Sequence, residues 1–161
     1  MVGFRQLSPR EALALLAGDR ELCARVGAGE QFRVPTPLRY PGRRGQIVLY
    51  LTPGASSGSG GRSVRISEGG ELIQALDEQG LDLETDLVLS KTVYHAVQEV
   101  PGAGLGGGQI YLETDVDRLP PDLWRFLQLL TEILGLRHAK YKDALIQLSR
   151  RQEAQLPGPP D

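Results

Sequence analysis

Glu113, Asp115 and Asp117 alternate over one short stretch, and a carboxylate cluster of this kind could hold Mg²⁺ or Ca²⁺ for a metal-dependent hydrolase. The spacing does not match an EF-hand loop, which needs a glycine at its sixth position and a glutamate at its twelfth. Acids at the end of a strand and ahead of a helix are also favoured by the helix dipole alone. Gly102, Gly104 and Gly107 formally spell G-x-G-x-x-G. A dinucleotide loop follows a strand and opens a helix, so that phosphate meets the helix N-terminus. Here the order is reversed, helix before and strand after, and a plain connecting loop over 101–108 is expected.

No nucleophilic set assembles. Cys23 sits among apolar neighbours and reads as a small buried residue. His95 stands four residues from both Lys91 and Glu99 on the solvent side of a helix, an i,i+4 arrangement. His138 has Arg137, Lys140 and Lys142 beside it, a basic setting unlike a metal shell. The sequence contains no C-x-x-C, H-x-x-x-H or P-loop pattern, so no catalytic residue and no cofactor is assigned.

Charge is the feature furthest from random. Residues 31–67 carry six arginines (Arg33, Arg39, Arg43, Arg44, Arg62 and Arg65) and no acid, a block of +6. Residues 68–122 carry twelve acids against Lys91 and Arg118, a block of −10, and residues 123–151 return to +4. The near-neutral total of −2 therefore conceals a patterned chain. Arg39, Arg43, Arg44, Arg62 and Arg65, with Tyr50, could form a surface for an anionic partner. Arg137, Lys140 and Lys142 offer a second one. Alternatively the acidic middle folds back over the basic segment and the two cancel.

The elements that position these residues follow from periodicity. Ser8-Pro9-Arg10-Glu11 carries a capping box and opens a helix, with Gly18 as a break before a second helix. Residues 46–52 and 63–67 alternate as two strands of a long-looped hairpin, joined by a Gly/Ser-rich loop. Helices are expected over 71–79 and 85–97, a strand over 109–113 with Ile110 and Leu112 opposite Tyr111, and a long Leu-rich helical stretch from Pro120. The class is α+β: a small antiparallel sheet, the hairpin plus one later strand, flanked by helices in one domain. Residues 1–30 form an N-terminal helical segment continuous with an α+β domain over 31–151, and 152–161 form a disordered tail.

A chain of 161 residues with 40% hydrophobic residues buries a real core and is neither disordered nor collagenous. No apolar run approaches the ~20 residues of a membrane span, and the first residues lack a signal-peptide apolar region. A single cysteine fits a reducing, cytoplasmic setting. Fifteen arginines against three lysines, without any asparagine, point to GC-rich bacterial coding and also fit a thermophile.

Thr36-Pro37-Leu38, then Ile47-Val48-Leu49-Tyr50-Leu51, then Ile66-Ser67-Glu68-Gly69-Gly70 followed by Leu72, Ile73 and Leu76 occur in a recognisable order. Gln109-Ile110-Tyr111-Leu112 and the leucines from Leu123 to Leu136 complete it. This order resembles a bacterial and phage family of domains of unknown function, family 1828, over about two-thirds of the chain. Leu38 replaces that family's Phe, and Gly69 replaces the second Asp of its Ile-Thr-Asp-Asp-Gly turn, so Glu68 is the lone acid there. Occurrence of that family in phages and mobile elements implies a regulatory, defence or counter-defence role. The expectation is a non-enzymatic interaction module that meets a protein partner through the Arg-rich hairpin, with nucleic acid as the alternative ligand of the same Arg/Tyr surface. No membrane association is expected, and oligomeric state is open.

Overall fold

The computed structural model describes residues 3–40, 42–54, 62–136 and 150–151. The Gly/Ser-rich loop and the tail over 152–161 lie outside the described residues. Ser8 closes the first helix: its hydroxyl accepts from the Glu11 N–H at 3.1 Å, and the Glu11 carboxylate accepts from the Ser8 N–H at 3.1 Å. Helix α1 (Pro9–Leu16) stops at Gly18, whose φ of +89° suits glycine alone, and Asp19 caps α2 (Arg20–Gly27). The N-terminal segment is not purely helical. Arg5–Gln6 forms β1, and Leu7, Leu15, Leu22 and Val26 are buried in the same core as the rest of the chain.

The remaining strands are β2 (Phe32–Arg39), β3 (Gln46–Pro53), β4 (Ser63–Ser67), β5 (Ala103–Gly106) and β6 (Gln109–Asp115). They form one six-stranded sheet in the order β1-β2-β3-β4-β6-β5, antiparallel except where β1 runs parallel to β2. The sheet is thus larger than the three strands legible in the sequence. Strand β2 is masked in the sequence by Pro35 and Pro37. Because β1 reaches only Phe32 and Arg33, the outer edge of β2 beyond them needs no donors, and the pairing register slips between Pro35 and Arg39. The stretch over 101–108 is not a loop. Gly107 and Gly108, at φ +62° and +75°, make a two-residue turn that pairs β5 with β6.

Helices α3 (Glu71–Glu78), α4 (Leu87–Gln98) and α5 (Leu119–Gly135) complete the layer, with a short 3₁₀ turn at Val116–Arg118 leading into α5. Helix α5 lies at the centre and touches α1, α3 and α4 as well as β4 and β6. Its apolar stripe buries Leu123, Phe126, Leu130 and Ile133 in one core with Val34, Leu49, Leu51, Ile66, Ile110 and Leu112 of the sheet. Truncating a fully buried side chain such as Phe126 to alanine costs about 3–5 kcal/mol. The strands alternate, so every second residue points away from these helices. No helix among the described residues is long and apolar enough to cross a membrane.

Candidate functional site

The outward residues of five strands fall into register across the sheet. Arg33 lies opposite Tyr50, Tyr50 opposite Ser67, Ser67 opposite Tyr111, and Tyr111 opposite Gly104. Next to this row runs a second, Thr52, Arg65 and Glu113. The Arg33 guanidinium sits 5.5 Å from the centre of the Tyr50 ring, and its Nη2 donates to the Tyr50 hydroxyl at 3.4 Å. Phe4 meets Tyr50 edge to face at 5.4 Å. Arg65 lies 3.9 Å from the centre of Tyr111, where the ring's negative face attracts the cation, and 3.8 Å from Glu113.

Two glycines let these rings lie low. A Cβ at Gly104 would collide with the Tyr111 phenol, and one at Gly69 would come within 2.7 Å of Tyr50 Cε2. Phe4, Tyr50, Arg65, Ser67 and Gln109 border a cleft of about 490 Å³ on this face, within the range of small-ligand sites. Inside it Ser67 Oγ accepts from the Gly69 N–H at 3.0 Å and donates to Gln109 Oε1.

The arginines grouped in sequence are not grouped in space. Arg43 turns away to α3, where its Nε and Nη2 donate to the Glu78 carboxylate at 3.2 and 2.9 Å. It also approaches Glu71 at 4.0 Å and lies 5.6 Å from the Tyr40 ring centre. The hydrogen bond to Glu78, opposed by partial desolvation, holds Arg43 above its ordinary value, and the same bond pulls Glu78 below its own. Arg62 lies against Gly27 at the end of α2. Arg39 and Arg44 are exposed at the β2–β3 connection. Of the candidate arginines, Arg65 stands with Arg33 on the outward sheet face, and Arg39, paired with Gln46, lies on the same face at its end. Arg137, Lys140 and Lys142 lie outside the described residues. Among the described residues the +6 and −10 blocks meet at two points, Arg43 with α3 and Arg65 with Glu113.

The turn residues do structural work. Thr36 is buried; its Oγ1 donates to the Ile47 carbonyl at 2.7 Å and accepts from the Leu38 N–H at 3.2 Å, bracing the slipped register beside exposed Pro37. Glu68 is only 1% exposed, so each of its bonds replaces one to water. Its carboxylate accepts from the Leu72 N–H at 2.9 Å, the Ile110 N–H at 3.0 Å and the Tyr40 hydroxyl at 3.4 Å. It thereby caps α3 and ties it to β6, while Gly69 and Gly70 make the turn at φ +78° and +83°. Burial, then the Glu68 charge, push the Tyr40 hydroxyl above the usual tyrosine range.

The strand-end carboxylates do not assemble into a ligand set, although Glu113 and Asp115 share a sheet face. Glu113 accepts from Ser63 and faces Arg65, whereas Asp115 and Asp117 are exposed. No group of three His, Cys, Asp or Glu side chains among the described residues is placed to hold a metal. His95 pairs with Glu99 at 3.4 Å on an exposed helix face, and Cys23 is half-buried, its thiol pushed up mainly by burial. The G-x-G-x-x-G glycines serve the hairpin: Gly102 packs on the Glu113 carbonyl and Gly104 under Tyr111.

Phe4, Arg33, Gln109 and Tyr111 join Tyr50 and Arg65, although nothing in the sequence alone marks them as site residues. The orientation of Tyr111 is legible from its alternation with Ile110 and Leu112. Arg33 depends on recognising β2 as a strand, and Phe4 on the parallel pairing of β1, which no local pattern announces. Comparison of the chain with protein-family models, curated proteins and solved structures yields no match.

Proposed function

We propose that the protein is a non-enzymatic binding module whose outward sheet face, free of helices among the described residues, takes single-stranded nucleic acid. The observation that carries this reading is the cross-strand row Arg33–Tyr50–Ser67–Tyr111, with Arg65 stacked on its last ring and Phe4 beside Tyr50. Exposed Phe4 and the outer side of the Arg65 guanidinium above Tyr111 offer stacking surfaces for bases of any sequence, and Arg33 offers a partner for phosphate. Three cations, Arg33, Arg39 and Arg65, against two carboxylates, Glu113 and Asp115, leave this face net positive even though the whole chain is slightly acidic. The acids of α3 belong to the opposite layer, where Arg43 already answers two of them.

The test is fluorescence anisotropy with a labelled oligo(dT) of about ten nucleotides at ~50 mM salt, where phosphate-driven affinity is strong. Binding that weakens as salt rises supports the reading, and no binding at that salt refutes it. A protein partner is the second reading. It is favoured by Trp124, 53% exposed on α5 beside Pro37, Leu38 and Leu127 in an apolar groove of about 490 Å³. Affinity capture with the native chain and Trp124→Ala tests it: a specific protein retained by the first and lost by the second supports a docking role for this groove.

A further inference from the structure

We infer, resting on the nucleic-acid reading above, that the cleft bordered by Phe4 and Tyr50 selects guanine over adenine and thymine, with Gln109 and Arg65 as the selecting residues. Phe4 is 42% exposed, and its edge-to-face contact with Tyr50 leaves part of its ring open for a planar base. The polar wall of the cleft is directional. Ser67 Oγ takes the Gly69 N–H and gives its own proton to Gln109 Oε1. The acceptor of the Gln109 amide is thereby turned inward, and its Nε2 amino group is left to donate into the cleft.

Arg65 supplies the second donor. Stacking on Tyr111 fixes its plane, and Glu113 approaches its Nη1. Gln109 and Arg65 border the same cleft, and reading one base edge with two donors calls for two adjacent acceptors. Guanine offers them in O6 and N7, whereas adenine sets its N6 amino group next to N7 and opposes one donor with another. Thymine presents a single O4 acceptor on that edge, whereas cytosine, its pairing edge free in a single strand, carries two adjacent acceptors in O2 and N3 and is not rejected by this pair of donors. Ser67 acts at one remove, as a positioning residue for the amide.

Anisotropy on oligo(dT) of about ten nucleotides carrying one central guanine or one central adenine tests the inference. The native chain is expected to bind the guanine strand about tenfold more tightly than the adenine strand. Gln109→Ala and Gln109→Glu should both bring that ratio close to one. Ser67→Ala should lower the ratio, and Ser67→Thr, which keeps the hydroxyl that orients the amide, should restore it, a rescue that a merely structural role would not produce. Equal binding of the two strands by the native chain, or a ratio that survives both Gln109 substitutions, would overturn the inference and leave nucleic-acid binding standing. Failure of the native chain to bind any strand would overturn the reading beneath it.

Discussion

The Arg65 guanidinium stacks 3.9 Å from the centre of the Tyr111 ring, and Gly104, directly across from Tyr111, leaves that ring the room to lie down on the sheet. The stack depends on an absent side chain on the edge strand of the fold. Gly104→Val should lift Tyr111, cost about 1–3 kcal/mol of stability by overpacking, and weaken oligonucleotide binding. Urea unfolding and anisotropy read the two effects separately. Unchanged values in both would show that the ring is not held as described.

Arg33 and Arg65 differ from Arg43 in what they face. Arg33→Gln and Arg65→Gln should each reduce the salt dependence of oligonucleotide binding, lowering the slope of log K against log salt by about 0.7 for each phosphate no longer neutralised. Arg43→Gln should leave that slope alone, because its guanidinium is committed to Glu78 and Glu71.

Glu68 joins α3 to β6 through one buried carboxylate. Glu68→Ala orphans the Leu72 and Ile110 N–H groups and should cost about 3 kcal/mol in urea unfolding. Glu68→Gln keeps one acceptor oxygen and should cost less. Equal losses from both would mean that packing, not acceptance, sets the contribution of this residue.

The Arg43–Glu78 contact fixes a pH dependence. Its hydrogen bond with Arg43 holds Glu78 below the ordinary 4.5, so the unfolded chain takes up a proton first as pH falls. The stabilisation is fully present above pH 4.5 and is lost as pH drops through the lowered folded value. Stability curves of the native chain and Arg43→Gln should therefore run apart at neutral pH and converge in acid. Glu11 behaves in the same sense, held low chiefly by the Ser8 N–H.

Burial, and secondarily Asp19, raise the Cys23 thiol, so its thiolate is scarce near neutrality. Labelling with a thiol reagent near neutral pH should be slow in the folded chain and should accelerate sharply in denaturant. Rapid labelling of the folded chain would show a freer thiol than the packing allows.

The helices are largely legible in the sequence because their signals are local. Ser8 with Glu11, Gly18, and the leucine spacing from Leu123 fall where caps, breaks and stripes put them. The sheet is half legible. Strands β3, β4 and β6 alternate openly, but β2 carries two prolines that only an edge tolerates, and β5 is half glycine, where Tyr111 needs the space. The site is least legible, since Arg33, Tyr50, Ser67 and Tyr111 are brought together by cross-strand register, which lies in no single segment. Block charge misleads for the same reason: neighbours in sequence such as Arg62 and Arg65 end on different parts of the fold, one against α2 and one over Tyr111.

Where a single strand of nucleic acid sits on the chain is read most directly by backbone and aromatic NMR shifts during an oligo(dT) titration. Shifts concentrated on Phe4, Arg33, Tyr50, Arg65, Gln109 and Tyr111, with α3 and α4 unmoved, are the result expected of a sheet-face site. Shifts confined to the helix layer, or none at saturating oligonucleotide, would contradict it.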